Sequence, residues 1–251
     1  MSTDKKRFSA DGPAPRQRFW KEAGVQETAD GFTITLDGKP VRLPGGNPLC
    51  VTARPLAEAL AAEWAAAGLD DPKGRFTPAD LPLTRIAGTK IERVRPEREH
   101  IIATLADYGA HDLLCYRAET EGPLTVRQAE EWQPWLDWLN ERHGITLRVT
   151  HGMMPIKQPE PALQRLRTLL ATRNDADLAA LGVAVPALGS LVLGLALADG
   201  AITPAQAVAA ASVDERVQME RWGEDAAILD RIAAMNEDVT DAARFMELGR
   251  G

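Results

Sequence analysis

Phe32-Thr33-Ile34-Thr35-Leu36 alternates apolar and polar residues with a period of two, the pattern of a half-buried strand. Asp37-Gly38 follows at once and Val41-Arg42-Leu43 returns, which predicts a tight hairpin. Pro44-Gly45-Gly46-Asn47-Pro48 marks a second turn, so residues 18–51 read as strands. The period then lengthens. Leu56, Leu60 and Trp64 recur every four residues, Pro55 stands near the start and Gly68 at the end, so a helix is predicted over Arg54–Ala67.

From Pro96 onward the helical period dominates. Ile101, Ile102, Leu105 and Tyr108 share one helix, and Thr125–His143 reads as a long helix broken near Pro134 and stopped by Gly144. Ile145-Thr146-Leu147-Arg148-Val149 alternates and suggests a short extended segment. Further helices are predicted over Pro161–Thr172, Asp175–Leu181, Pro186–Ala198, Pro204–Ala211, Asp214–Ala234 and Val239–Leu248. The pattern therefore predicts an α+β protein: a disordered tail over residues 1–15, a small strand-rich α/β domain with antiparallel strands over 16–93, and a larger all-helical domain over 94–251. No period of 20–50 residues recurs, so a solenoid is excluded.

One helical stretch breaks its own pattern. In Ser212–Asp225 (SVDERVQMERWGED), Glu215, Gln218, Trp222 and Asp225 fall on one stripe, which Ala226, Leu229 and Ala233 continue as an apolar face. Burying such polar groups without partners costs about 1–3 kcal/mol each. Either they are paired inside the fold or they meet something outside it. Ser212 and Glu215 also have the spacing of a capping box, a structural explanation for Glu215 alone.

Charge sharpens that choice. The 251 residues carry 29 Lys+Arg against 36 Asp+Glu, a net charge of −7 that disfavours a nucleic-acid binder. From Ser212 to the end there are ten Asp/Glu against five Arg, so a basic or polar partner suits that region. The longest apolar run, Val183–Ala198, is interrupted by Pro186, Gly189, Ser190 and Gly194 and reads as a buried helix rather than a membrane span. No secretory leader is evident and only two cysteines, Cys50 and Cys115, occur, which points to a reducing compartment.

Candidate chemistry is sparse. There is no GxxxxGK[ST] loop and no strand-linked GxGxxG, and the four histidines lack metal-ligand spacing, so neither a cofactor nor a metal is expected. His111, Asp112 and Cys115 lie close enough for a thiol-dependent site. The simpler reading has Asp112 capping or pairing with Arg117 and Cys115 packing in a core. Trp132, Trp135, Trp138 and Leu139 coat one side of a helix as core or as a helix-docking face.

Several segments together resemble a known family. LDGKPVRLP, AAEW (61–64), LPLTR (81–85), YGAHDLLCYRAE (108–119), WQPWLDW (132–138), GSLVLGLAL (189–197) and DERVQMERWGED (214–225) occur in the order and spacing of the F-type ATP synthase assembly chaperones, the family of mitochondrial ATP synthase assembly factor 2. The resemblance spans roughly residues 18–248. It departs at Lys39, at Leu43 and at Ala226-Ala227, where the family often has Arg, Thr and a further Glu.

The resemblance implies a chaperone that is not an enzyme and needs no cofactor. Such a protein binds the free alpha subunit and masks its beta-pairing surface until the catalytic head assembles. On that basis Asp214, Glu215, Gln218, Trp222, Glu224 and Asp225 are the candidate partner-binding residues, with Trp222 supporting by packing. Trp64, Leu83, Thr84, Arg85, Asp112, Tyr116 and Arg117 are the structural motif residues. The expected molecule is a monomer when free, is not inserted in a membrane, and lies in a bacterial cytoplasm, or in the mitochondrial matrix if eukaryotic. Two alternatives stay open: a small cytosolic enzyme using Cys115, His111 and Asp112, and a generic acidic adaptor for a basic protein.

Overall fold

A computed structural model of the chain describes residues 14–152 and 154–251. The expected tail over 1–15 thus lies outside the described residues except for Ala14 and Pro15. The chain divides into two compact units. One comprises the described residues up to Arg95 together with Glu247–Gly251, and the other runs from Pro96 to Met246.

The N-terminal unit is an antiparallel sheet covered by a helix. β1 (Arg16–Gln17), β2 (Ala23–Thr28), β3 (Gly31–Leu36), β4 (Lys39–Pro40) and β5 (Cys50–Val51) precede α1 (Arg54–Ala66). Strand β3 is central, pairing with β2 from Ala23↔Leu36 to Thr28↔Gly31, with β4 at Leu36↔Lys39 and with β5 at Phe32↔Val51. The predicted hairpin is present. Asp37 (φ 48°) and Gly38 (φ 77°) both occupy the left-handed region that a two-residue turn requires. The expected half-burial of β3 is corrected: Thr33 and Thr35 are buried as well as Ile34 and Leu36, because neighbouring strands flank both edges.

Helix α1 buries Leu56, Ala57, Leu60, Ala61 and Trp64. Trp64 packs edge-on against Trp20 (centroids 5.2 Å) and Phe76 (6.0 Å), and its carbonyl accepts from Trp20 Nε1 at 3.0 Å. Phe76 belongs to β6 (Arg75–Phe76), which pairs with β1. Next comes α2 (Pro82–Thr89), whose first N–H groups have no partner within the helix. Glu63, one residue before Trp64, supplies them: its carboxylate accepts from Leu83 N (2.6 Å), Thr84 N (2.9 Å) and Thr84 Oγ1 (2.9 Å). The AAEW and LPLTR segments are therefore two halves of one cap. Glu63→Ala is expected to destabilise the unit by about 1–2 kcal/mol, the usual cost of a lost N-terminal cap. Urea denaturation measures it, and an unchanged midpoint would show that the cap adds nothing.

The second unit is helical: α3 (Arg98–Ala110), α4 (Pro123–His143), α5 (Glu160–Ala171), α6 (Asp175–Leu188), α7 (Leu191–Ala198), α8 (Pro204–Ala211), α9 (Val213–Trp222) and, as far as Met246, α10 (Ala226–Gly249). A two-residue parallel pair, β7 (Tyr116–Arg117) with β8 (Thr150–His151), follows α3 and α4 respectively. All eight residues of α7 are buried, so this helix is the centre of the core. Close approach needs small residues there: a Cβ on Gly194 would lie 2.6 Å from Val185 Cγ2, and one on Gly109 only 2.5 Å from Leu166 Cδ1.

Four predicted boundaries are corrected. Helix α4 runs unbroken through Pro134, since Pro134 and Glu130, the residue whose carbonyl loses its donor, are both exposed. The break expected between Leu181 and Pro186 falls instead at Gly189 (φ 63°) and Ser190, which caps α7 through Leu193 N. Residues 145–149 form no strand, although Ile145 and Leu147 are buried. Finally, the helix expected over Asp214–Ala234 is two helices separated at Gly223–Asp225, and the second continues unbroken through Val239.

Candidate client-binding surface

The polar stripe that singles out residues 212–225 is split between α9 and the start of α10. Gly223 adopts φ 96°, ending α9, and Asp225 opens α10 by accepting from Ala227 N at 2.8 Å and Ile228 N at 3.2 Å. Asp225 is therefore a helix cap. The capping box expected at Ser212 is absent: Ser212 makes no side-chain cap, and its hydroxyl donates back to Val208 O at 2.7 Å. Glu215 is thereby left for another partner, Arg231 of α10, whose Nη2 donates to Oε1 at 2.9 Å.

Asp214 points the other way, into the unit. Its Oδ1 accepts from Gln128 Nε2 at 2.7 Å, while Gln128 Oε1 accepts from Ala118 N at 2.7 Å. Gln128 is only 1% exposed, so its carboxamide is a fully buried link between the 108–119 segment, α4 and α9. Arg216 adds a second tie from α9 to α4, donating to Glu131 Oε2 at 2.6 Å and to Ala209 O at 2.7 Å. A partly buried ion pair with extra hydrogen bonds of this kind fixes orientation more than it adds stability.

The remainder of the stripe faces outward. Trp222 is 72% exposed, with the Arg221 guanidinium 5.3 Å from its ring centroid, and Leu229 is 42% exposed. Gln218, Glu220, Glu224, Asp225, Ala226 and Ala233, from the same segment, are exposed as well. The expectation that Trp222 supports its neighbours by packing is corrected, because a tryptophan so exposed presents its ring to solvent. An exposed indole and an exposed leucine on helices that also expose carboxylates supply the residue types of an interface, aromatic anchor and polar rim.

The motif residues form the frame behind this surface. Asp112 is completely buried at the N-terminus of α7, where it accepts from Ser190 Oγ (2.8 Å), Val192 N (3.0 Å) and Leu114 N (3.1 Å). Burial pushes its carboxyl up to about 6 against the pull of those bonds. Arg117 makes no pair with Asp112. It donates instead to Leu114 O, Gln128 O and Gln133 Oε1, and its guanidinium lies 5.4 Å from the Trp132 ring centroid. Trp132 is buried and donates through Nε1 to Ala210 O, so it is core, as its spacing predicts. Tyr116 is half-buried in β7. In the first unit Leu83 and Thr84 are buried at the Glu63 cap, and Arg85 is exposed on the same helix.

The thiol-dependent alternative loses its nucleophile. Cys115 is fully buried, and desolvation together with the adjacent Asp112 charge pushes its thiol up to about 12. His111 is exposed, and both oxygens of Asp112 are already engaged by groups other than the cysteine and the histidine. Among the described residues no group of three or more His, Cys, Asp or Glu could hold a metal ion, and no helix is long and apolar enough to cross a membrane.

Comparison with known proteins decides the family. The family model described as ATP12 chaperone protein matches residues 17–140. The crystal structure of Atp12 from Paracoccus denitrificans is 38% identical and superposes with a TM-score of 0.85, covering 93% of this chain and 98% of that one. The chain belongs to the ATP12 chaperone family. This is the family of ATP synthase assembly chaperones that the motifs resemble, and its members share the mixed α+β fold with a large helical portion. A solved structure from Agrobacterium tumefaciens is 34% identical at the same TM-score and coverage of this chain, spanning 86% of its own. The fission yeast protein named Protein atp12, mitochondrial, is 27% identical over 92% of this chain and 81% of its own length.

Asp214, Glu215 and Trp222 share one segment of the sequence, whereas Gln128 and Arg231, which hold the first two, lie outside it. Gln128 carried a faint signal, as a carboxamide on the helix face that also presents Trp132 and Leu136. Arg231 carried none, because its role depends on the chain reversal at Gly223.

Proposed function

We propose that the protein is a holding chaperone for the free alpha subunit of F-type ATP synthase, covering the surface that later pairs with beta. Membership of the ATP12 family supports the assembly role, and the exposed Trp222 of α9 and Leu229 of α10, on helices that also expose Glu220, Glu224 and Asp225, carry the binding reading. A surface made for subunit pairing is largely apolar and aggregates when unpaired. A holder must therefore offer apolar contact plus fixed charges that set register. Trp222 and Leu229 supply the first. Glu215, Gln218 and Glu224 supply the second, with Asp214 and Asp225 setting the positions of α9 and α10.

In this reading the protein performs no covalent chemistry, holds no cofactor and works as a monomer. It operates where the catalytic head is assembled, the cytoplasm of a bacterium or the matrix of a mitochondrion. Mixing purified alpha subunit with the protein tests it. A complex is expected by gel filtration, with light scattering from free alpha suppressed and beta subunit displacing the chaperone. Failure to bind alpha while binding other basic proteins equally would favour the generic acidic adaptor instead.

A further inference from the structure

A second concave surface lies wholly within the N-terminal unit and has the opposite character. It is a pocket of about 390 Å³, within the size range that holds a bulky side chain or a small ligand. Its floor is apolar, made by Val41, Leu43, Trp64, Phe76 and Leu81, each at least nine-tenths buried. Its rim is cationic, with Arg16, Arg42, Arg85 and Arg93 among the lining residues. The single lining carboxylate, Glu92, already accepts from Gly45 N at 2.8 Å and Asn47 Nδ2 at 3.4 Å. Four guanidinium groups around an apolar floor are unexpected on a chain of net charge −7.

We propose that this pocket docks a segment of the client protein in which one large apolar side chain stands beside a carboxylate. The apolar side chain fills the floor and the acidic residue pairs with the arginine rim. Charge complementarity favours this occupant over a basic or neutral segment. The pocket thus gives the protein a second, basic contact besides the acidic α9–α10 surface. The inference rests on the chaperone reading only in taking the occupant to be a client.

Overlapping fifteen-residue peptides tiling the alpha subunit provide the probe, read for binding by the wild-type protein, Arg85→Glu, Arg16→Glu and, outside both surfaces, Arg142→Glu. All three arginines are exposed, so their reversal leaves the fold intact. Melting curves verify this. The wild type is expected to select peptides with Phe, Leu, Ile, Tyr or Met next to Asp or Glu. Arg85→Glu and Arg16→Glu should each weaken them about tenfold, the loss of one charge-assisted hydrogen bond, while Arg142→Glu leaves them unchanged.

Absence of selected peptides, selection without that pattern, or indifference to both pocket substitutions would overturn the inference. Capture of intact alpha subunit in the same preparation would still uphold the chaperone reading, so the two fail separately. Phenylacetate, an apolar ring bearing a carboxylate, is the small-molecule arm. Calorimetric binding of the free acid more tightly than of any peptide would assign the pocket to a small ligand and also overturn the inference.

Discussion

Asp112→Ala is expected to destabilise the helical unit by about 3–5 kcal/mol, a large part of the 5–15 kcal/mol that typically separates folded from unfolded protein. The substitution strands three buried donors at once: Leu114 N, Ser190 Oγ and Val192 N. It also removes a negative group from the N-terminus of α7, where the helix dipole favours one. Asp112→Asn should cost less, because its carbonyl can still serve Ser190 and Leu114. Its amide would nevertheless face the Val192 N–H, donor against donor. Urea midpoints for the three proteins check the ranking, and an alanine variant within 1 kcal/mol of wild type would remove Asp112 from the frame.

The same side chain makes stability depend on pH in a definite sense. Its folded carboxyl lies at about 6, above the ordinary value of 3.8. Between those two values the folded state holds the proton more firmly than the unfolded state does, so raising the pH lowers stability. The stabilising contribution is complete below pH 3.8 and is lost as the pH rises through about 6. Other carboxylates titrate in that range, so the difference between wild type and Asp112→Asn isolates the effect. That difference is expected to shift against the wild type from pH 4 to 6 and to be level above 7.

Asp112 also shows what was legible in the sequence. The order of motifs suffices to recognise the family, because each motif holds residues that a particular contact requires. Glu63 of AAEW caps the helix of LPLTR, and Asp112 of YGAHDLLCYRAE binds Ser190 of GSLVLGLAL. The partners themselves are not legible, since contacts between residues 78 positions apart depend on helix packing and not on local period. Periodicity located most helices, but it could not see that Pro134 lies on a solvent face or that Gly223 turns left-handed. The polar stripe is thus not one face of one helix but a cap, an ion pair, an internal tie and an exposed tryptophan at a helix junction. The basic pocket has no signature in the sequence, because its arginines, at positions 16, 42, 85 and 93, share no motif and meet only in the folded unit.

Glu215→Lys is expected to abolish capture of the alpha subunit while leaving the fold intact. Glu215 is partly exposed and pairs with Arg231, itself 60% exposed, so the pair contributes no more than about 1 kcal/mol to stability. A lysine there places like charge beside Arg231 and turns part of the acidic rim positive. At an interface such repulsion costs several kcal/mol, enough to reduce affinity a thousandfold or more. The ion pair creates a second possibility, that Glu215 acts by holding α10 and not by touching the client. Combining Glu215→Lys with Arg231→Glu separates the two, because the swap restores an ion pair between α9 and α10 with the charges exchanged. If Glu215 contacts the client, the double variant still fails to capture alpha in gel filtration although its melting temperature matches wild type. Recovery of capture would make Glu215 a positioning residue and move the contact to Trp222 and Leu229. Full capture by the single variant would remove the acidic stripe from the binding surface altogether.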